Sequence, residues 1–312
     1  MKDVMPDPNA AASQLSSVRD FLRWALSEFR RAKVVHGHGT VSAMDEAAFL
    51  ILETLRLPVD DINPWLDATL LTCEREALAN IIRIRIETRM PAAYLARRAY
   101  IGGMSFYVDE RVIVPRSYIG ELMLSGIFGG DEAPLIEDVT QVTGVLDLCT
   151  GSGCLAIIAA GIFPDAEIDA ADLSADALAV ARINVEEHGV AERVSLHQGD
   201  LFAAVDGATY DLIICNPPYV AAAEVHAFPP EYGHEPVMAH IGGEDGLDLV
   251  RRILAEAADH LNPGGGLICE IGTGRELLVA GYPHLDFLWL DTEESQGEVF
   301  WITREQLLEP GT

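Results

Sequence analysis

Along residues 13–90 apolar positions recur every three or four residues. In "SQLSSVRDFLRWALSEFRRAKV", Leu15, Val18, Leu22, Leu26 and Phe29 share one helical face. Ser42, with Asp45 three residues on, has the capping-box spacing and opens a second helix, "MDEAAFLILETLRL". "DDINPW" reads as a loop. A third helix is expected from about Thr72 to Arg89, with Pro91 just past its end.

The period then shortens. "AYIGGMSFYVDERVIVPR" (99–116) is rich in β-branched and aromatic residues and predicts a β-hairpin turning at "DER". Residues 129–143 are polar. From 144 onward short apolar runs ("GVLDLC", "AEIDAADL", "RVSLHQGD", "YDLIICN", "GGLICEIG") alternate with amphipathic stretches of helical length at 153–163, 174–188 and 246–261. Such alternation predicts an α/β unit with a mostly parallel sheet. "LDFLWLD" and "GEVFWITR" then follow without a long helix between them, which predicts an antiparallel ending. The divisions expected are a helical domain at 1–97, a hairpin connector at 98–120 and an α/β domain at 121–312.

Composition narrows the class. Of 312 residues, 49% are hydrophobic and 22% charged, as in soluble globular proteins. The start is polar, and no apolar run is long enough to span a bilayer, so a cytoplasmic protein without a membrane partner is expected. Five cysteines, four of them inside apolar runs, read as buried small hydrophobes rather than disulfides or metal ligands. His36 and His38 in "HGHGT" have no third ligand spaced nearby, so no metal is expected. The net charge is −28, which repels phosphate backbones and attracts basic proteins. A basic protein partner, and no direct nucleic-acid partner, is the expectation.

Candidate chemistry gathers at the ends of the predicted strands. "LDLCTGSGCLAI" is a strand, a turn bearing Gly151 and Gly153, and a helix. Glycines there let the backbone approach a ligand. Ala156 stands where the dinucleotide fingerprint has its third glycine, which leaves a nicotinamide dinucleotide open on this motif alone. Asp147 in that strand would favour a cation and repel a pyrophosphate. Asp172 ends the second strand, placed to accept ribose hydroxyls. Asp200 ends the third, where an adenine amino group would find an acceptor. Asn216 ends the fourth, and Pro217, Pro218 and Tyr219 follow. Pro217 has no N–H and holds Asn216 extended. The Asn216 side-chain oxygen and a neighbouring carbonyl would then accept both protons of an NH2 group, beside a flat tyrosine ring.

Together, "DLCTGSG" and "NPPY" resemble the class I S-adenosylmethionine-dependent methyltransferases that modify amino nitrogens. "PAAYLARRAYIGGMSFYVDERVIVPRS" is similar to the connector of the protein glutamine N5-methyltransferases, the HemK/PrmC-like family. Within it, "YVDERVIVPRSYIGE", "FLRWALSEF", "HGHGT", "EYGHEP" and "GEDGLDLVRRIL" look like the branch that modifies the third protein of the 50S ribosomal subunit. The resemblance covers about residues 15–308.

It implies a Rossmann-like seven-stranded sheet, an N-terminal substrate-recognition domain at 1–97, and S-adenosylmethionine as cofactor with S-adenosylhomocysteine as product. Cys149, Thr150, Gly151, Ser152 and Gly153 match the turn that holds the methionine end. Asp172 with Leu173 matches the ribose site, and Asp200 with Leu201 the adenine site; Leu201 replaces an aromatic of the release-factor enzymes. Asn216, Pro217, Pro218 and Tyr219 match the glutamine-amide site. "PRSYIGE" departs from the release-factor pattern and favours the ribosomal-protein branch. The alternatives are glutamine methylation of release factors, amino-methylation of a nucleic-acid base, which the net charge opposes, and a non-catalytic assembly factor, which the intact site opposes.

Overall fold

Ser17 shows how the first long helix begins. Its hydroxyl accepts from the Asp20 N–H and the Asp20 carboxylate accepts from the Ser17 N–H, a complete capping box that starts Val18–Ala32. The preceding residues form a separate helix, Pro8–Gln14, so the stripe predicted from Leu15 is broken at Ser16–Ser17. The buried face runs through Val18, Phe21, Ala25 and Phe29, with Leu26 only half-buried. Ser42 does cap Ala43–Leu55, but its hydroxyl bonds Asp45, so the reciprocal half of a box is missing.

This computed structural model describes residues 8–130, 134–292 and 295–309. Among the described residues no helix is long and apolar enough to cross a membrane. The chain divides into two compact units. The first comprises Met1–Gly103 together with Pro229–His234. Its helices Val18–Ala32, Ala43–Leu55 and Thr72–Thr88 close on a core that includes Phe21, Phe29, Leu50, Ile51, Leu78 and Ile82. Each such side chain contributes about 1.5–3 kcal/mol on leaving water.

The second unit comprises Met104–Phe228 and Glu235–Thr312. Strands β1 (Ala99–Ile101) and β2 (Met104–Phe106) make a small hairpin. It turns at Gly102–Gly103, both at positive φ, and not at Asp109–Arg111. Residues 107–116 look like strands in sequence, but their polar backbone groups go to side chains: Tyr107 N–H to Asn184 and Val114 N–H to Glu235. Asp109 takes the Arg111 guanidinium with both oxygens.

Strands β3 (Gly144–Leu148), β4 (Glu167–Asp172), β5 (Val194–Gln198), β6 (Tyr210–Cys215), β7 (Leu261–Glu270), β8 (Leu288–Leu290) and β9 (Val299–Thr303) form one sheet in the order β5-β4-β3-β6-β7-β9-β8. The five strands β3 to β7 are parallel; β9 runs antiparallel between β7 and β8. Helices Cys154–Ile162, Ala175–Glu187 and Asp248–Glu256 provide crossovers. The central strands are buried on both faces, hence their continuous apolar runs. The chain winds from β3 toward β5 on one side and from β6 onward on the other. The carboxyl ends of β3 and β6 therefore flank the reversal point, where open sheets leave a crevice.

Candidate active site

The turn after β3 is held from inside the protein. Thr150 N–H donates to the Ala171 carbonyl at 3.0 Å, and Gly153 N–H to the Thr150 carbonyl at 2.9 Å. Asp147 lies beneath, fully buried. Its Oδ2 accepts from Thr150 Oγ1 at 2.5 Å and from the Ala156 N–H at 3.1 Å, which ties the turn to the first turn of the helix after it. Burial pushes its carboxyl up to about 7, against the pull of those two bonds; the Asp172 charge adds to the rise. Asp147 does not line the cleft, so its sequence-based role as a ligand to a cation gives way to bracing of the turn. Asn184, fully buried, holds the same turn through the Ser152 carbonyl at 2.8 Å and reaches the Tyr107 backbone.

Asp172 at the end of β4 takes the Gly151 N–H at 2.9 Å and the Ser174 N–H at 2.8 Å. Burial raises its carboxyl, and these bonds oppose the rise. Ser174, not Asp172, caps the following helix. Asp200 after β5 is half exposed and pairs with Arg252 at 2.9 Å. Leu201 beside it is buried at φ +50°.

Asn216 follows β6 and is half-buried; among the described residues its side chain has no hydrogen-bond partner. The backbone after it is firmly seated. Val220 N–H donates to the His240 carbonyl and Gly242 N–H to the Val220 carbonyl, each at 2.9 Å. A Cβ at Gly242 would come within 2.5 Å of the Pro218 carbonyl and 2.8 Å of Tyr219 Cα, so only glycine fits there. Tyr219 donates its hydroxyl to Glu270 Oε1 at 3.0 Å, at the end of β7. Glu270 Oε2 accepts from Ser117 Oγ at 2.8 Å and Tyr118 N–H at 3.0 Å. Burial pushes the Glu270 carboxyl up to about 7. Arg116, next to Ser117, forks onto Glu235 at 2.9 and 2.8 Å.

These elements surround an open cleft. Cys149, Gly151, Asp172 and Leu173 line it from β3 and β4; Asp200, Leu201, Asn216 and Pro218 line it from β5 and β6. Thr150, Ser152, Gly153, Pro217 and Tyr219 lie behind these as supports, outside the lining. Glu270 and Asn184 went unnoticed in sequence, and Glu235 stood out only as part of "EYGHEP". Glu270 had a readable signal, an acid closing the apolar run "GLIC", in the same position that singled out Asp172.

The cleft presents carboxylate acceptors, with Arg111 also in its lining. A Cβ on Gly151 would meet only the Cys149 carbonyl, at 4.0 Å, so the turn opens onto free space at φ +55°. Asp172 and Asp200 present acceptors where a phosphate would need donors.

A seven-stranded sheet in this order, with β9 reversed and the cleft at the carboxyl ends of β3 to β6, is that of a class I methyltransferase. The family model for the methyltransferase small domain matches residues 132–228. The ribosomal protein uL3 glutamine methyltransferase of Bradyrhizobium diazoefficiens is 54% identical over 296 residues, 94% of this chain and 92% of that protein. That of Neisseria meningitidis is 53% identical over 300 residues, 96% of this chain and 97% of that one. A methyltransferase crystal structure from Pyrococcus furiosus superposes with a TM-score of 0.47 at 20% identity, over 65% of this chain and 90% of that chain. The chain belongs to the ribosomal protein uL3 glutamine methyltransferase family.

Proposed function

We propose that this chain methylates the side-chain amide nitrogen of a glutamine in ribosomal protein uL3, using S-adenosylmethionine, in the cytoplasm. The observation that carries the reading is Asn216: a side-chain amide without a hydrogen-bond partner among the described residues, on the cleft, set on a backbone that Gly242 and Glu270 hold in place. The names of the relatives supply the substrate. The net charge of −28 suits a basic ribosomal protein, and the helical domain at 1–97 is its recognition element.

The residues at the cleft divide the work. Cys149 and Gly151 receive the methionine end of the cofactor, Asp172 and Leu173 its ribose, and Asp200 and Leu201 its adenine. S-adenosylmethionine, when bound, supplies a methyl carbon made electrophilic by its sulfonium. An amide nitrogen is a weak nucleophile because its lone pair is shared with the carbonyl. Asn216 Oδ1 and the Pro217 carbonyl accept its two N–H groups and fix the direction of the lone pair. As positive charge grows on nitrogen, those acceptors stabilise it more than they stabilise the ground state. Tyr219, anchored on Glu270, keeps the strand end rigid, and the surplus proton passes to solvent.

The test supplies methyl-labelled cofactor to uL3 and a peptide-chain release factor together. Label is expected in uL3. Asn216→Ala should lower turnover by about 10²-fold or more, with cofactor affinity by calorimetry within about twofold of wild type. Label in the release factor moves the substrate assignment. Unchanged turnover in Asn216→Ala removes the amide-gripping role.

A further inference from the structure

The segment after the NPPY run leaves the sheet unit and comes back. Phe228 and Glu235 belong to the sheet unit, and the six residues between them, Pro229–His234, belong to the helical unit. Inside that unit Glu231 is fully buried. Its Oε1 accepts from the Val35 N–H at 3.0 Å and from Arg89 Nη1 at 3.2 Å, with Arg85 Nη1 3.7 Å away. Its Oε2 has no partner among the described residues. The Tyr232 ring lies 4.3 Å from that of His38, and His234 Nε2 lies 2.8 Å from the Thr88 carbonyl. Arg89 is itself fixed: it ends helix Thr72–Thr88 at φ +62° and donates to the Ala32 and Lys33 carbonyls, the last of helix Val18–Ala32.

A surface turn requires none of this. Burying a carboxylate costs several kcal/mol unless it is paired, and one oxygen of Glu231 is not. The position of the segment explains the arrangement. The base of the loop is closed in the sheet unit, where Val220 bonds His240 and Gly242, and Ala222 N–H donates to the Gly243 carbonyl. Those same residues seat the backbone of Pro218 and Tyr219. Between the two sides of that base run about twenty residues, whose freedom opposes closure. Glu231 sits in the middle of them.

We infer that Glu231 is a positioning residue for methyl transfer: its burial in the helical unit pins the loop whose base holds the NPPY backbone in place. The activity side of this inference rests on the proposed function; the structural side does not.

Hydrogen exchange on the whole protein separates the two. Glu231→Ala should speed exchange of the Val220, Ala222 and Gly242 amides by about tenfold or more and leave those of β3 and β6 unchanged. Glu231→Gln keeps an acceptor for Val35 and Arg89 and should stay within about threefold of wild type. In the uL3 assay kcat of Glu231→Ala should fall by about tenfold at unchanged cofactor affinity, and Glu231→Gln should restore most of it. If Glu231→Ala does not fold, Arg89→Ala takes its place, with the same acceleration expected. Wild-type exchange at residues 220–242 in the folded Ala variant, or in Arg89→Ala where it is the one that folds, overturns the inference. So does acceleration spread equally over β3 and β6. Failure of the wild type to methylate uL3 would count against the substrate and leave the exchange result standing.

Discussion

In the helical unit Glu46 is 1% exposed and faces a cation. Arg85, 0% exposed, meets it through Nε at 2.8 Å and Nη2 at 3.3 Å, and His36 lies 3.2 Å away. In the sheet unit Asp147 and Glu270 are as deeply buried, and their hydrogen bonds come only from hydroxyl and backbone N–H groups. Burial acts on all three carboxyls in the same direction. At Glu46 that rise is more than offset by His36 and Arg85, and the group lies below its ordinary value. At Asp147 and Glu270 hydrogen bonds offset only part of it, and both are pushed up to about 7. Glu46 is thus carried beside cations, whereas Asp147 and Glu270 are raised toward neutrality. Composition follows the same line: residues 1–103 hold 13 acidic and 13 basic residues, whereas 104–312 hold 36 and 8. A chain so poor in cations beyond residue 103 has few to place beside a buried carboxylate.

Breaking the pair in the helical unit should have the largest effect. Arg85→Met removes the guanidinium from between Glu46 and Glu231 and also the bond from Nη2 to the Val35 carbonyl at 2.9 Å. Glu231 keeps Arg89 and Glu46 keeps His36, each at 3.2 Å, but breaking a buried ion pair costs about 3–5 kcal/mol. Chemical denaturation followed by Trp24 fluorescence, a probe inside the helical core, should report a loss of that size. A loss under about 1 kcal/mol would mean that Glu46 does not depend on its cation, and the contrast between the units would fail.

The two arrangements also respond to pH with opposite sign. Glu46 is depressed in the folded state, so its stabilisation is present above the ordinary carboxyl range and is lost as pH falls through it. Asp147 is raised from 3.8 to about 7, so between those values the folded protein holds a proton that the unfolded chain has released. Stability from this group is therefore fully present below about pH 4 and is lost as pH rises to about 7. Glu270, raised from 4.5 to about 7, acts in the same sense. Asp147→Asn cannot ionise, and its amide oxygen can still accept from Thr150 and Ala156. Its stability relative to wild type should rise by about 2–4 kcal/mol between pH 4 and pH 8. A parallel pH profile for the two proteins would show that Asp147 is not held neutral.

Much of this was legible in the residues, for a physical reason. A strand buried on both faces is a continuous apolar run, so a polar residue at its end stands out: Asp172 and Asn216 were found in this way, and both line the cleft. The parallel character of the sheet follows from short apolar runs separated by helices. The hairpin was misplaced because Phe106–Val114 has the composition of strands, whereas its backbone is satisfied by Asn184 and Glu235, residues 77 and 121 positions away. The burial of Glu231 and Glu235 was hidden for the same cause. Their partners Arg89 and Arg116 lie 142 and 119 residues off, and no local pattern announces a pair formed by the tertiary fold.

The mildest substitution gives the sharpest reading of the sheet unit. Glu270 accepts on Oε2 from Ser117 and Tyr118 and on Oε1 from Tyr219. A glutamine can keep its oxygen toward Ser117 and Tyr118 and turn its NH2 toward Tyr219, whose hydroxyl accepts as readily as it donates. A protonated Glu270 offers the same donor, so Glu270→Gln imitates the neutral acid. Its stability should lie within about 1 kcal/mol of wild type. Glu270→Ala, which leaves the Tyr118 N–H and two hydroxyls unsatisfied, should lose about 2–3 kcal/mol. Turnover should order in the same way, because Tyr219 holds the strand end that carries Asn216. If the glutamine variant were as damaged as the alanine variant, Glu270 would be acting as an anion.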